Sequence, residues 1–151
     1  MATEQLNARD LILEVSDGAG TPVWTQVGGI TEVAINYGEN EETEDTTTFD
    51  SGGNYEQEIM QRGRSLNIKG KALVDTVTGA REPGQLQLNE YAELTGTASK
   101  VPIRMRYPLD TEWITWSATV TRGSEGGGTN NKTGFEYTLT RSGASGTAPV
   151  A

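Results

Sequence analysis

Carboxylates are the residues here with the clearest capacity for chemistry. Between Asn36 and Glu58 the chain reads NYGENEETEDTTTFDSGGNYEQE. It carries Glu39, Glu41, Glu42, Glu44, Asp45, Asp50, Glu56 and Glu58 and no Lys or Arg. Clustered carboxylates suit a hard cation such as Ca²⁺, but the D-x-[DN]-x-[DN]-G spacing of a helix-loop-helix calcium site is absent. Glu56 and Glu58 are a pair of the kind that cleaves glycosidic bonds, yet nothing around them suggests a pocket or an aromatic platform. The Gly-rich runs VGGI and EGGGTNN lack the spacing and the following Lys-Ser/Thr of a phosphate loop, and read as bends.

The residue types that are missing narrow the chemistry further. The chain has no Cys and no His. Thiol nucleophiles, disulfides and Cys-based zinc sites are therefore excluded, and so are the commonest general base and the commonest metal ligand. The expectation is no enzyme, no catalytic residue, no metal and no cofactor. No apolar run approaches the ~20 residues of a membrane span, and MATEQLNARD has neither the basic start nor the apolar run of a signal peptide. A soluble chain in a cytosol-like compartment, or in a particle assembled there, is expected.

Charge is unevenly divided. Residues 1–61 hold 13 acids against one base, Arg9, whereas residues 62–151 hold 8 acids against 11 bases; the whole chain is at −9. Arg62, Arg64, Lys69 and Lys71 follow directly on the acidic stretch. A nucleic-acid reader would want stacking aromatics beside such a stripe and a basic total. Pairing with acid is the better account, within the chain or across an interface. Like charges confined to one segment repel within a Debye length of about 8–10 Å, and a second copy bringing Arg and Lys to them removes that penalty. An acidic half and a mildly basic half suit head-to-tail association, which closes into rings or grows into filaments.

The elements that must position these residues are mostly strands, marked by apolar–polar alternation. Strands are expected over Asp10–Ser16, Pro22–Val27, Gly29–Tyr37, Asn54–Gln61, Arg64–Val74, Val101–Tyr107, Glu112–Arg122 and Gly134–Arg141. Glu32 and Asn36 fall on the polar side of the third, Glu56 and Glu58 on that of the fourth, and Arg104 and Arg106 on that of the sixth. One helix is expected in REPGQLQLNEYAELTG. Pro83 suits its first turn, Leu88, Tyr91, Ala92 and Leu94 form its apolar stripe, and Gly96 its C-terminal stop. The segment from Gly38 to Gly53 reads as a long loop, of a length usually functional or disordered. The result is a mainly β domain over 1–141, a sandwich or distorted barrel with one flanking α-helix and a long inter-strand loop. Residues 142–151 read as a flexible C-terminal tail.

Three stretches together resemble the major tail tube proteins of long-tailed (siphovirus-type) bacteriophages. They are GGITEVAINYGENEETEDTT, RGRSLNIKGKALVDTVTGAREPGQLQLNEYAELTG and WSATVTRGSEGGGTNNKTGFEYTLTRSGA. Their order covers nearly the whole chain. The resemblance implies a β-sandwich flanked by a helix, six copies in a ring, inner sheets joined into one barrel around a channel, and rings stacked into a tail tube. It implies a virion protein assembled in the host cytoplasm, with other copies of itself and the tape measure, tail terminator and tail tip proteins as partners. DNA would cross an acidic channel without specific binding. On this view Glu32, Asn36, Glu56 and Glu58 face the channel. Glu39, Glu41, Glu42, Glu44, Asp45 and Asp50 form a loop reaching the next ring. Arg62, Arg64, Lys69, Lys71, Arg104 and Arg106 supply the basic surface it meets. A tube of a contractile tail, a bacteriocin or an injection system has the same architecture with other cargo. From another class, a monomeric acidic β-sandwich binding module also fits the composition.

Overall fold

Strand alternation dictates most of the architecture. The computed structural model describes residues 2–150. Its strands are β1 (Ile12–Ser16), β2 (Trp24–Gln26), β3 (Ile30–Asn36), β4 (Glu42–Asp45), β5 (Gln57–Gln61), β6 (Ser65–Lys71), β7 (Lys100–Arg106), β8 (Glu112–Gly126), β9 (Gly134–Arg141) and β10 (Gly146–Pro149), with helix α1 at Pro83–Tyr91. One antiparallel sheet runs β2-β1-β7-β8-β9-β6-β3, and β10 joins it by pairing with β8. Its two outermost strands, β2 and β3, are consecutive in the chain and separated only by Val27–Gly29. The sheet therefore rolls round until its ends are nearly joined, giving a barrel-like fold with the helix at its side.

Inward positions make the core. Leu13 and Val15 of β1, Leu66 and Ile68 of β6, Val101, Ile103 and Met105 of β7, Trp116, Ala118 and Val120 of β8, and Phe135, Tyr137 and Leu139 of β9 are all buried in one cluster. Each full burial of such a side chain contributes about 1.5–3 kcal/mol. Gly70 lies in the same interior, where a Cβ would meet Gly29 O at 2.3 Å and the Phe135 ring at 2.6 Å. The ring occupies the space that a side chain on β6 would need.

Helix α1 starts where Pro83 predicts. Glu82 caps it by accepting from the Gln85 N–H at 2.9 Å. Leu88 and Tyr91 face the core, and the Tyr91 hydroxyl donates to Ser16 O of β1. Leu94, expected on the apolar stripe, lies beyond the helix end and is exposed.

Four elements differ from the sequence expectation. The acidic segment is no unstructured loop: Glu42–Asp45 is a strand that pairs with β5 in a separate two-stranded sheet. Its ETED sequence has no apolar alternation, because neither of its faces packs on the core. The C-terminal segment is ordered as β10, whose small residues pair with the start of β8 beyond the reach of β9. Strand β8 continues past Arg122 to Gly126, absorbing extra residues in a bulge between Arg122 and Glu125. Strand β2 is only three residues long.

Candidate functional site

The acidic stretch is an arm. It leaves the barrel at Asn36 of β3, runs out along β4, turns, and returns along β5 to Ser65 of β6. Two close fits shape its base. Asn40 takes a left-handed φ of 58°. A Cβ on Gly63 would come within 2.3 Å of Glu39 O, so only glycine lets the two strands leave together there. Asn36 is drawn into the same corner, donating to Glu39 at 3.0 Å and accepting from the Gly38 N–H at 3.1 Å.

Cross-strand register sets the arm's faces. Glu44 stands directly opposite Glu58, and Thr43 opposite Ile59. Alternation then places Glu42, Glu44, Glu56 and Glu58 on one side, with Tyr55, Gln57 and Ile59 on the other. Like charges directly opposite each other destabilise a strand pair. At the tip, Glu56 accepts from the Ser51 hydroxyl at 3.0 Å, and the Ser51 Oγ accepts from the Thr48 N–H at 3.0 Å. Asp45 accepts from the Thr47 N–H at 2.9 Å, which holds its carboxyl below the usual range. The tip is thus organised, and it presents Phe49 fully to solvent. Tyr55, Ile59 and Met60 are also exposed. A two-stranded hairpin alone is marginally stable in water, and this one exposes both its charges and its large apolar side chains.

The outward face of β3, β6, β9 and β8 is the second surface. Register aligns Glu32 with Lys69 and Lys69 with Glu136, and Ala34 with Asn67 and Asn67 with Thr138. Lys69 is 3.6 Å from Glu136, and the Thr138 hydroxyl donates to Asn67 at 2.9 Å. The face is amide- and hydroxyl-rich; of its two lysines, Lys69 lies between two glutamates and Lys71 stands at the end of β6 opposite Gly134.

The structure divides the sequence-derived residues among three places. Glu32 and Asn36 are on β3 of the barrel, whereas Glu56 and Glu58 belong to the arm and share a face with Glu42 and Glu44. Glu39 and Glu41 sit at the arm's base, and Asp50 at its tip. Arg62 and Arg64 are also at the base: Arg62 lies 4.0 Å from Glu41, and the Arg64 guanidinium sits 4.8 Å over the Tyr37 ring. Lys69 and Lys71 are exposed on β6. Arg104 is committed inside its own chain. Its Nε and Nη2 donate to one Glu14 oxygen at 2.8 and 2.5 Å, between the rings of Trp24 and Trp113 at 4.3 and 4.1 Å. The Arg106 guanidinium sits 4.8 Å over the same Trp113 ring and donates to Pro108 O at 3.0 Å. These two arginines hold the outside of β1, β2, β7 and β8 together rather than forming a free basic surface. Sequence reasoning missed this stack, although Trp24, Arg104 and Trp113 all fall on polar sides of their strands. It also missed Phe49 as the arm's apolar tip.

Among the described residues, no group of three or more acidic side chains is arranged to hold a metal. Among the same residues, no helix is long and apolar enough to cross a membrane. What the site offers is surface: a projecting charged arm and a broad polar sheet face on a barrel with nearly joined ends.

The chain belongs to the phage tail tube protein family, whose model matches residues 5–82, from the N-terminal segment through the arm to the start of α1. The family consists of structural components of phage particles. No curated protein sequence matches the chain. Among solved structures, a chain from the tail of an empty GTA particle, refined helically with C6 symmetry, is similar at 22% identity with a TM-score of 0.64, covering 97% of this chain and 100% of that one. A chain from the virion of a native gene transfer agent particle is similar at 19% identity and TM-score 0.65, over 95% and 99%. A chain from the sixfold-symmetrised baseplate of the anti-feeding prophage is similar at 14% identity and TM-score 0.59, over 99% and 98%. At these identities the likeness establishes the shared fold.

Proposed function

We propose that six copies of this chain close into a ring and that rings stack into a tail tube through which DNA leaves the particle. The observation that carries this reading is the arm, with Glu44 facing Glu58 across a hairpin that contains no cation. An isolated monomer keeps that repulsion, whereas a neighbouring copy relieves it. The acidic residues from Glu39 to Asp50, with Glu56 and Glu58, then serve the contact between rings. The outward face of β3, β6, β9 and β8, including Glu32 and Asn36, lines the channel.

Such a wall suits transit. A lysine that engages a phosphate releases counterions and adds affinity. Here Lys69 is already flanked by Glu32 and Glu136 and the unpaired Lys71 stands at the far end of β6, so most of the wall offers DNA hydroxyls, amides and balanced charge rather than a grip. Joining sheet edges between copies also hides backbone groups that would otherwise invite uncontrolled pairing. The expected partners are other copies and the tape measure, terminator and tip proteins of the same tail.

The likeness to the anti-feeding prophage chain supports a second reading: the same rings and stacks, forming the inner tube of a contractile or injection-type particle with other cargo. Electron microscopy of the concentrated protein tests the architecture common to both. Rings or tubes with a central hole are the expected result. Dispersed monomers at every concentration, especially with melting raised by Ca²⁺ or a sugar, would replace the reading with a binding module.

A further inference from the structure

The end of the barrel opposite the arm carries a complementary surface. Strands β3 and β6 run antiparallel, so the arm leaves where β3 ends and β6 begins, and Lys71 lies at the other end, about 20 Å away. Beyond Lys71 the chain makes a short hairpin closed by a Val74–Arg81 bridge. Val77 stands at its tip, almost fully exposed, and Leu73 and Val74 are half exposed. Ala72, Leu73, Val74, Arg81 and Thr133 line a cleft of about 260 Å³ beside it.

The charges around this cleft are sorted. The nearby acids are occupied within the chain. Asp75 accepts from the N–H groups of Val77 and Thr78 at 2.8 and 3.0 Å, and Glu82 from those of Gly28 and Gln85. Glu125 is held by Arg81 at 2.9 Å and Arg122 at 3.2 Å. Lys71 and Lys132 are exposed and make no ion pair among the described residues. The cleft thus pairs the apolar Ala72, Leu73 and Val74 with Arg81 and Thr133, and the uncommitted Lys71 and Lys132 are the chain neighbours of Ala72 and Thr133. The arm is its counterpart: Phe49 exposed at the tip of a stem with four glutamates on one face and no Lys or Arg from Glu42 to Gln61.

We propose that this cleft is the receiver for the arm of a second copy of the same chain, with Phe49 seated against Leu73 and Val74 and the arm's glutamates meeting Lys71 and Lys132. The inference rests on the stacked-ring reading and adds to it the place on the next ring where the arm lands. It also gives the contact a direction. Arm and receiver lie at opposite ends of one barrel, so each copy gives at one end and receives at the other, and stacking continues without closing.

The chain has no cysteine, so introduced thiols report cleanly. Asp50→Cys places a thiol beside Phe49 while keeping the aromatic side chain, and Val74→Cys places one at the cleft; both positions are exposed. The assembled double variant, treated with a short bismaleimide, is expected to give a ladder of covalent dimers, trimers and longer chains. Each single variant is expected to give none, and a mixture of the two singles should give dimers. Tubes of normal appearance with no ladder would overturn the receiver while leaving the stacked tube intact. Failure of the unmodified chain to form rings or tubes at all would remove the stacked-ring reading and the receiver with it. Charge reversal gives a second measure. Lys71→Glu with Lys132→Glu should cut tube length at least several-fold, and Glu44→Lys with Glu58→Lys in the same chain should restore it. Unaltered length after the first pair would also overturn the proposal.

Discussion

Gln85 illustrates how a single polar side chain can organise this molecule. It is 98% buried at the start of α1 and uses its whole amide. Its Oε1 accepts from the Leu73 N–H at 3.1 Å, and its Nε2 donates to Gly28 O at 2.8 Å and Lys71 O at 3.1 Å. It therefore ties the helix to the β2–β3 connection and to the end of β6, where the receiver cleft begins. A buried polar group left without a partner costs about 1–3 kcal/mol. Gln85→Ala strands several, and is expected to lower unfolding stability by about 2–4 kcal/mol in urea titration. A loss below about 0.5 kcal/mol, the size of an ordinary surface change, would mean that the clamp is not holding the helix. The sequence gives no hint of this role, since a Gln two residues into a helix reads as solvated. Arg104 misleads in the same way: its place on the polar side of β7 is legible, but the Glu14 and tryptophans that claim it come from other strands.

At the scale of elements, what was legible follows from burial. Strands β1, β3, β6, β7, β8 and β9 alternate because one side of each meets the core, and their periodicity survives in the sequence. Strand β4 leaves no such trace, since Glu42–Asp45 is exposed on both faces and pairs only through backbone and register with β5. Strand β10 is hidden for a related reason, being short, small-residued and closed by Pro149, as edge strands often are. The arm's acidity was visible; its hairpin form and the gathering of Glu42, Glu44, Glu56 and Glu58 on one face needed the cross-strand register. That form has a dynamic consequence. With few buried contacts and a like-charge pair opposed, the arm opens locally far more often than the barrel. In dispersed protein, amides of β4 and β5 are expected to exchange with deuterium roughly 100-fold faster than those of β8 and β9. In assembled protein they should be protected. Equal protection in both states would mean that the arm has no partner in the assembly.

The whole molecule is a barrel with two unlike ends. Its acidic half supplies the arm, and both halves supply the stack of Glu14, Trp24, Arg104 and Trp113 that fastens β1, β2, β7 and β8 on the outside. In the proposed assembly the arm's carboxylates are shared between identical copies. Sedimentation velocity of the full chain, beside a variant with Glu42, Glu44, Glu56 and Glu58 all changed to Ser, tests it most directly. The unmodified chain is expected to form large species growing with concentration, while the variant keeps the same circular dichroism spectrum and sediments no further than single rings. Identical large species from both chains, or a monomer from the unmodified chain at every concentration, would contradict it.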